Sequence, residues 1–229
     1  MSSNVAHLAL RLEGPLQSWG YDSQYSRRNT GLFPTKSAIL GMCCAAMGVP
    51  RGSEIEVSTL ARLKALQLLV VSIPRFLRIV EQNNLLSVRR ITDYHTVQNT
   101  RTAKGDNKDT HLTWRQYLCD AFFAVVLKGE RPIVEEAGNA LKNPVWGIWL
   151  GRKACIPTAP VYVGVYDSEE EALNVVLQGQ PLSNFSHQRE VESFADGTDT
   201  LSDQPLCYGG VNSSRAFAPR RIKLVEGKQ

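Results

Sequence analysis

A tyrosine and a histidine stand side by side in a polar stretch of the chain. The stretch reads Asp-Tyr-His-Thr-Val-Gln-Asn-Thr-Arg and places Tyr94 and His95 close to Arg101. Aromatic, amide and cationic groups of this kind stack on bases and contact phosphates in proteins that bind single-stranded RNA. Tyr94 or His95 with a lysine such as Lys104 or Lys108 could instead cleave RNA by general acid/base catalysis, although neighbours in sequence need not face one phosphate. The mixture of residues favours binding, and cleavage remains the alternative.

Two tryptophans lie next to predicted strands. Trp19 and Gln17 belong to the glycine-framed segment Gly-Pro-Leu-Gln-Ser-Trp-Gly, which follows the first predicted strand. The Trp19 ring could stack on a base, and a core tryptophan in a tight turn would give the same pattern. Trp114 and Arg115 begin the segment Trp-Arg-Gln-Tyr-Leu-Cys-Asp, whose alternate residues point to opposite faces of a strand. One of those faces would contact a ligand, or the segment is a plain edge strand.

Several basic residues stand beside turns, where backbone amides can help to bind a phosphate. Arg27 precedes a turn that leads to a predicted helix, and Lys36 and Ser37 lie at the start of that helix, where unpaired N–H groups and the helix dipole attract anions. Arg152 and Lys153 follow a glycine in a turn bounded by proline, which suits a terminal phosphate. An ordinary helix cap and a solvated basic turn are the alternative interpretations.

The composition is that of a globular chain and selects no chemistry. The 229 residues carry a formal net charge of +4, and 43% of them are hydrophobic. A mild positive excess also fits an interaction module whose basic loops bind an acidic protein partner. We find no nucleotide-binding glycine fingerprint and no metal-spaced residues, so we expect no cofactor and no metal. There is no secretory signal and no apolar run near the ~18 residues that a membrane span needs, so we expect a cytoplasmic protein without a membrane partner.

The predicted elements follow the order of a ferredoxin-like fold. Hydrophobic periodicity and turn residues predict strands at 7–12, 68–73, 122–127, 161–166 and 216–225, helices at 35–47, 59–66, 132–143 and 167–177, and a hairpin of 75–81 with 85–91. Residues 92–110 and 178–205 show no period. The order predicts an α+β, RRM-like antiparallel sheet with helices on one face. We expect one unit over 1–229, with an excursion at 84–113 and a C-terminal elaboration at 178–229.

Five segments in a fixed order carry a resemblance to a known family. They span residues 14–20, 33–37, 93–97, 114–120 and 151–155. Their sequences and spacing resemble the CasD family of type I-E CRISPR Cascade subunits, the fifth Cas family within the RAMP superfamily. The resemblance covers roughly residues 5–165 and offers nothing to match in residues 178–213.

The resemblance implies a ferredoxin-like body with a protruding β-hairpin or loop as a thumb at 84–113. It implies a non-catalytic subunit of the Cascade ribonucleoprotein complex that caps the repeat-derived 5′ handle of CRISPR RNA (crRNA). Such a subunit joins the backbone subunits to the large subunit for antiviral DNA interference, and contact with target DNA is left open. A related type I-C branch cleaves its repeat with tyrosine, lysine and histidine, and no such triad can be placed in this sequence.

The resemblance also suggests where RNA would be contacted. The expected RNA-binding residues are Gln17, Trp19, Arg27, Lys36, Ser37, Tyr94, His95, Arg101, Trp114, Arg115, Arg152 and Lys153. No catalytic residue and no metal ligand is expected.

Overall fold

The computed structural model describes residues 4–20, 22–79, 82–86, 88–102, 105–209 and 214–228. Its strands are β1 (Val5–Glu13), β2 (Leu16–Gln17), β3 (Arg27–Arg28), β4 (Gln67–Ser72), β5 (Arg75–Ile79), β6 (Gln82–Leu86), β7 (Arg89–Arg101), β8 (Asn107–Cys119), β9 (Phe122–Glu130), β10 (Tyr162–Tyr166), β11 (His187–Glu190), β12 (Asp199–Cys207) and β13 (Ala216–Val225). Its helices are α1 (Lys36–Ala46), α2 (Glu54–Leu63), α3 (Arg131–Lys142) and α4 (Glu169–Val176), with a 3₁₀ turn at Leu182–Asn184.

The centre of the fold is a set of four antiparallel strands in the order β10-β1-β9-β4. β1 pairs with both β10 and β9, and β9 pairs with β4. The connection through α1 and α2 therefore joins two strands of the same direction with β9 between them, and α3 joins two others with β1 between them. This is the ferredoxin-like arrangement, so the predicted α+β class is confirmed.

Local signals set the helix ends. The Thr35 side chain caps α1, the Ser168 side chain caps α4, and Pro132 lies in the first turn of α3, where its missing N–H has no helical partner to lose. α2 covers Glu54–Leu63, whereas the sequence pattern predicted 59–66. The helix begins earlier because the Ser53 side chain caps it, a signal that the prediction missed.

The main sheet buries both of its faces. In β1, Leu8, Leu10 and Leu12 belong to the core beneath α1, α2 and α3, while Ala9 points to the other face and packs in the cluster that includes Ala172 of α4. The prediction of helices on one face is therefore wrong for α4. Alternation along a strand shows which residues share a face, but it does not show on which face a later helix will pack.

The excursion expected as a protruding β-hairpin or loop is a long antiparallel hairpin. β7 and β8 pair from Arg89 with Cys119 out to Arg101 with Asn107. Almost every side chain of β7 is exposed, so neither face of the strand had to be apolar and the sequence shows no alternation. The shorter hairpin differs from expectation. β5 pairs with β6, and residues 89–91 belong to β7, while residues 80–81 lie outside the described residues.

The C-terminal region extends the main sheet. β11 pairs with β4, and the order continues as β4-β11-β13-β12. The prediction of an irregular region at 178–205 is wrong, since it contains β11 and most of β12, whereas the strand predicted at 216–225 is present with those bounds. β12 also carries residues that bond to α1, so this extension contributes to the surface described next.

Candidate nucleic-acid interface

A cleft of about 780 Å³ opens beside α1. We call it the arginine cleft. Residues of the loop after β2, of the loop after α3 and of the described chain ends next to β12 and β13 line it together with one face of α1. The cationic residues that line it are Arg28, Arg51, Arg152 and Arg215, and the exposed rings at its wall include Trp146 and Phe217.

The arginine cleft holds positive charge that the protein itself does not neutralise. Among the described residues, neither the Arg28 nor the Arg215 side chain has a hydrogen-bond or ion-pair partner. Arg51 donates from Nε and Nη2 to the Tyr208 carbonyl oxygen, at 3.0 and 2.8 Å, which leaves its charge unpaired. Burial, then the positive charges of Arg51 and Arg28, lower the pKa of Arg215. A site in which several unpaired cations lie close together attracts anions.

Glu56 is the acidic residue among those that line the cleft. Among the described residues, it forms no ion pair with the arginines there. Its side chain is 2% exposed, and Oε2 accepts from the Tyr208 backbone N–H at 3.1 Å. Tyr208 is thus held from both sides, by Glu56 at its N–H and by Arg51 at its carbonyl oxygen. These contacts fix the end of β12 against α1 and α2 and so shape one wall of the cleft.

An exposed aromatic cluster lies about midway along the long hairpin. Tyr94 and Trp114 pair across β7 and β8, with ring centroids 5.6 Å apart in an edge-on arrangement. The Arg27 guanidinium lies over the Trp114 ring at 5.9 Å, because β3 pairs with β8 in that register. Tyr94 is 57% exposed and Trp114 is 40% exposed. Exposed rings beside a cation form the type of surface on which unpaired bases stack.

His95 and Arg115 lie on the opposite face of the same hairpin. His95 follows Tyr94 directly in a regular strand, so the two side chains point in opposite directions. His95 Nδ1 lies 3.6 Å from Asp93 Oδ2, and Arg115 donates from Nε to Thr113 Oγ1 at 3.1 Å. The hairpin therefore does not bring Tyr94 and His95 to one phosphate, as cleavage by the two together would require.

Arg152 connects the arginine cleft to the hairpin. Its guanidinium donates to the Arg28 and Gln116 carbonyl oxygens, at 2.9 and 3.3 Å, and lies 4.7 Å from the centre of the Tyr117 ring. The turn before it needs glycine, since Gly151 has φ +94° and a Cβ there would lie 1.8 Å from the Ser18 carbonyl oxygen. Arg152 thus organises the site as well as adding charge to it.

With this geometry in place, the chain can be compared with known proteins. The sequence profile of the family described as CRISPR-associated protein (Cas_Cas5) matches residues 7–223. The chain belongs to the Cas5 family. This Cas5 chain is 30% identical over 227 residues to the CRISPR system Cascade subunit CasD of Escherichia coli (strain K12), a match that covers 97% of the chain and 96% of that protein. The family resemblance seen in the sequence is confirmed.

Solved structures agree with this assignment. A chain of a CRISPR RNA-guided surveillance complex matches the Cas5 chain with a TM-score of 0.73 and 26% identity, over 96% of this chain and 89% of that one. A Cas protein crystal structure matches with a TM-score of 0.64 and 30% identity, over 96% and 93% of the two chains. The ferredoxin-like fold and its extensions are therefore shared with proteins of CRISPR systems.

Two of the residues predicted to contact RNA lie in the core of the Cas5 chain. Trp19 and Gln17 are both 0% exposed. The Gln17 side-chain amide donates to the Leu12 and Ala121 carbonyl oxygens, at 3.1 and 2.6 Å, and its Oε1 accepts from Trp19 Nε1 at 3.1 Å. Base stacking on Trp19 is incompatible with this position. The alternative, a core tryptophan in a tight turn, is the one that the structure shows.

Lys36 is also buried and does not face the cleft as a phosphate ligand. It is 1% exposed, and its Nζ donates to Glu190 Oε1, Gln204 Oε1 and the Lys64 carbonyl oxygen, at 2.7, 3.0 and 2.9 Å. Burial lowers the pKa of Lys36, and the neighbouring Glu190 opposes this change. Three acceptors around one Nζ satisfy all three donors of an ammonium group, so we assign Lys36 as protonated.

The buried charge of Lys36 belongs to a larger network with the C-terminal extension. The Lys36 backbone N–H donates to Asp203 Oδ2 at 2.8 Å, and Arg220 Nε donates to Asp203 Oδ1 at 2.6 Å. Asp203 and Arg220 are 2% and 5% exposed. We call Lys36, Glu190, Asp203 and Arg220 the buried quartet. It ties the start of α1 to β11, β12 and β13.

The other predicted residues lie in the arginine cleft, beside it or on the hairpin. Ser37 lines the arginine cleft and accepts at its carbonyl oxygen from the Tyr208 hydroxyl, whose pKa burial raises. Lys153 is exposed beside Arg152, and Arg101 is exposed at the far end of the hairpin. Of the two lysines considered for cleavage, Lys104 lies outside the described residues, as does the Lys108 side chain.

Sequence reasoning missed several residues of the arginine cleft. Arg28 had a usable signal, since it stands beside Arg27 before a turn. Arg51 follows a proline after α1, and Trp146 follows Pro144 at the end of α3, so both lie at the turns that usually carry binding residues. Arg215 had no local signal, because it belongs to a region without periodicity or recognisable motif.

No group of three or more histidine, cysteine, aspartate or glutamate side chains is placed to hold a metal ion within the described part of the chain. None of the helices described there has both the length and the apolar character that crossing a bilayer requires.

Proposed function

We propose that this chain is a crRNA-binding subunit of a cytoplasmic Cascade complex and caps the repeat-derived 5′ handle of its crRNA. The observation that carries the proposal is the arginine cleft, joined through Arg152 to an exposed aromatic cluster, in a chain of the Cas5 family. Unpaired arginines attract phosphates and exposed rings stack on unpaired bases, and single-stranded RNA offers both.

The long hairpin is the part that we assign as the thumb. We propose that it extends from a single unit formed by residues 1–229 and packs between the RNA and an adjacent backbone subunit. Its outer part carries exposed apolar side chains, Leu112 at 39% and, nearer the body, Ile91 at 46%, which suits a protein neighbour. The chain would join the backbone to the large subunit, as the likeness to CasD suggests, and contact with target DNA is left open.

Crosslinking within the assembled complex tests the proposal. The complex is purified from cells that express all its subunits and a CRISPR array, irradiated with ultraviolet light and digested, and the peptides joined to RNA are identified. We expect peptides that contain Trp114 and Trp146, since both rings are exposed at the interface. Peptides of α3 serve as the internal control. RNA joined to other subunits, with none on this chain, would overturn the proposal.

The proposed role is non-catalytic, and a direct assay separates it from RNA cleavage. We expect the purified chain to leave repeat RNA intact, because Tyr94 and His95 point to opposite faces of the hairpin. The assay is incubation with end-labelled repeat RNA, with and without a metal chelator, followed by electrophoresis. Cleavage at one position that is lost in His95→Ala or Tyr94→Phe would establish a metal-independent endoribonuclease. A contaminating nuclease is recognised because its products persist in both variants.

A further inference from the structure

The arginine cleft combines three properties that a nucleotide needs. Its volume of about 780 Å³ lies within the range of about 300–1,000 Å³ that is typical of small-molecule sites and is far too small for a duplex. Two of its arginines, Arg28 and Arg215, have no partner among the described residues. Trp146 exposes 45% of its surface at the same cleft.

The backbone of the loop that carries Trp146 is hydrogen-bonded to α1. The Trp146 backbone N–H donates to the Ala45 carbonyl oxygen at 3.3 Å, and the preceding Val145 N–H donates to the Ala46 carbonyl oxygen at 2.9 Å. Both acceptors belong to the last turn of α1, so the loop that carries the ring is bonded to the helix that forms the floor of the cleft. Because the backbone that carries the ring is already held, no loop has to be ordered when a base stacks on the ring.

The cations are supported in the same way. The Arg28 backbone is held by pairing of β3 with β8 and by the Arg152 guanidinium at its carbonyl oxygen. Arg215 is at the start of β13, whose partner β12 is fixed by the contacts of Tyr208 with Arg51 and Glu56. Arg28, Arg51 and Arg215 line the same cleft, and burial, then the positive charges of Arg51 and Arg28, lower the pKa of Arg215. An anion placed between them would relieve that repulsion.

We propose that the arginine cleft holds one unpaired nucleotide of the bound RNA, with its phosphate between Arg28 and Arg215 and its base against Trp146. The inference rests on the proposed function, since it assumes that RNA is the ligand of this face. An acidic protein segment would also pair with the arginines. The exposed ring beside them favours a nucleotide, because a base stacks on indole and a carboxylate side chain gains nothing from it.

The test measures RNA affinity and backbone protection in the assembled complex. The variants are Arg28→Ala, Arg215→Ala and Trp146→Ala, with Arg62→Ala as the matched control. Arg62 is an exposed arginine on α2 that pairs with Glu136 and does not line the cleft. Trp146→Phe keeps a ring for stacking. Complexes reconstituted with each chain are compared for the dissociation constant of the crRNA and for hydroxyl-radical cleavage at each nucleotide.

We expect each arginine variant and Trp146→Ala to weaken RNA binding about tenfold and to expose the same single nucleotide to hydroxyl radicals, while its neighbours stay protected. Trp146→Phe should recover most of the loss, and Arg62→Ala should match the original. The double variant Arg28→Ala with Arg215→Ala should lose less than the product of the two single losses, since the residues share one phosphate.

Three outcomes would overturn the inference in different ways. Unchanged affinity and protection in all the cleft variants, with crosslinks of RNA to this chain retained, would refute the nucleotide site and leave the proposed function standing. Tighter binding of a polyglutamate peptide than of single-stranded RNA to the free chain, lost in Arg215→Ala, would assign the cleft to an acidic protein segment. Absence of RNA crosslinks to the unaltered chain would refute the proposed function itself.

Discussion

Replacement of Lys36 by methionine is expected to lower the free energy of unfolding by about 3–5 kcal/mol, the usual cost of removing one partner from a buried ion pair. The Lys36 ammonium satisfies Glu190 and two further acceptors in a site that is almost closed to water. Without it, Glu190 keeps only the Leu68 N–H, at 3.2 Å, and a distant Arg220, at 3.9 Å. The melting temperature should fall by roughly 6–20 °C for a chain of this size.

The same variant decides between two roles for Lys36. Lys64→Met is the matched control, because Lys64 is exposed and its change should alter stability by no more than about 0.5 kcal/mol. The double variant Lys36→Met with Glu190→Gln should recover part of the lost stability, since it removes both charges. A Lys36→Met chain that unfolds at the original temperature but binds RNA weakly would restore Lys36 as a phosphate ligand.

Loss of the outer hairpin is expected to abolish entry of the chain into a stable complex while the free chain stays folded. The change replaces residues 96–112, which include Leu112, by a short glycine-serine linker between His95 and Thr113, which are paired in the original. The removed part of β7 is mostly exposed and contributes nothing to the core, and the aromatic cluster of Tyr94 and Trp114 remains. Assembly should fail because the proposed contact with the neighbouring subunit is removed.

Recovery of the complex and thermal unfolding of the free chain are measured together. A matched control replaces Arg101 alone by alanine, which removes a charge from the hairpin and keeps its length. A shortened chain that assembles and protects the RNA handle as well as the original would refute the assignment of the hairpin as the thumb. A shortened chain with a lower melting temperature would mean that the hairpin supports the body.

The body of the fold could be predicted because its signals are local. Alternation in β1, the Thr35 cap and Pro132 each act within a few residues, and their order leads to the ferredoxin-like arrangement. The excursion was predicted as a hairpin or loop, but the bounds of its strands could not be predicted, because an exposed strand needs no apolar face. The face of the sheet on which α4 packs depends on contacts between elements far apart in the sequence. Hydrophobic periodicity does not indicate such contacts.

The candidate site was harder to predict, because residue type does not determine burial. Trp19 and Trp114 both follow or begin a strand beside polar neighbours, yet the first is in the core and the second is exposed. Lys36 stands at a helix start like an anion ligand, but its partners come from β11 and β12, which were not recognised as strands. Arg152 was found, because its turn carries a local glycine and two adjacent cations.

The position of β13 has a consequence for the order in which the chain matures during its synthesis. β13 lies between β11 and β12, although it follows both of them in the sequence. The ferredoxin-like body is complete at β10 and can fold before β13 is synthesised. Until then, no strand connects β12 to β11. Arg215 and the Arg220 partner of Asp203 arrive with that strand. A nascent chain therefore acquires its body first and its complete arginine cleft last, so a product that ended before Arg215 would present the hairpin beside a cleft that lacks Arg215 and Phe217.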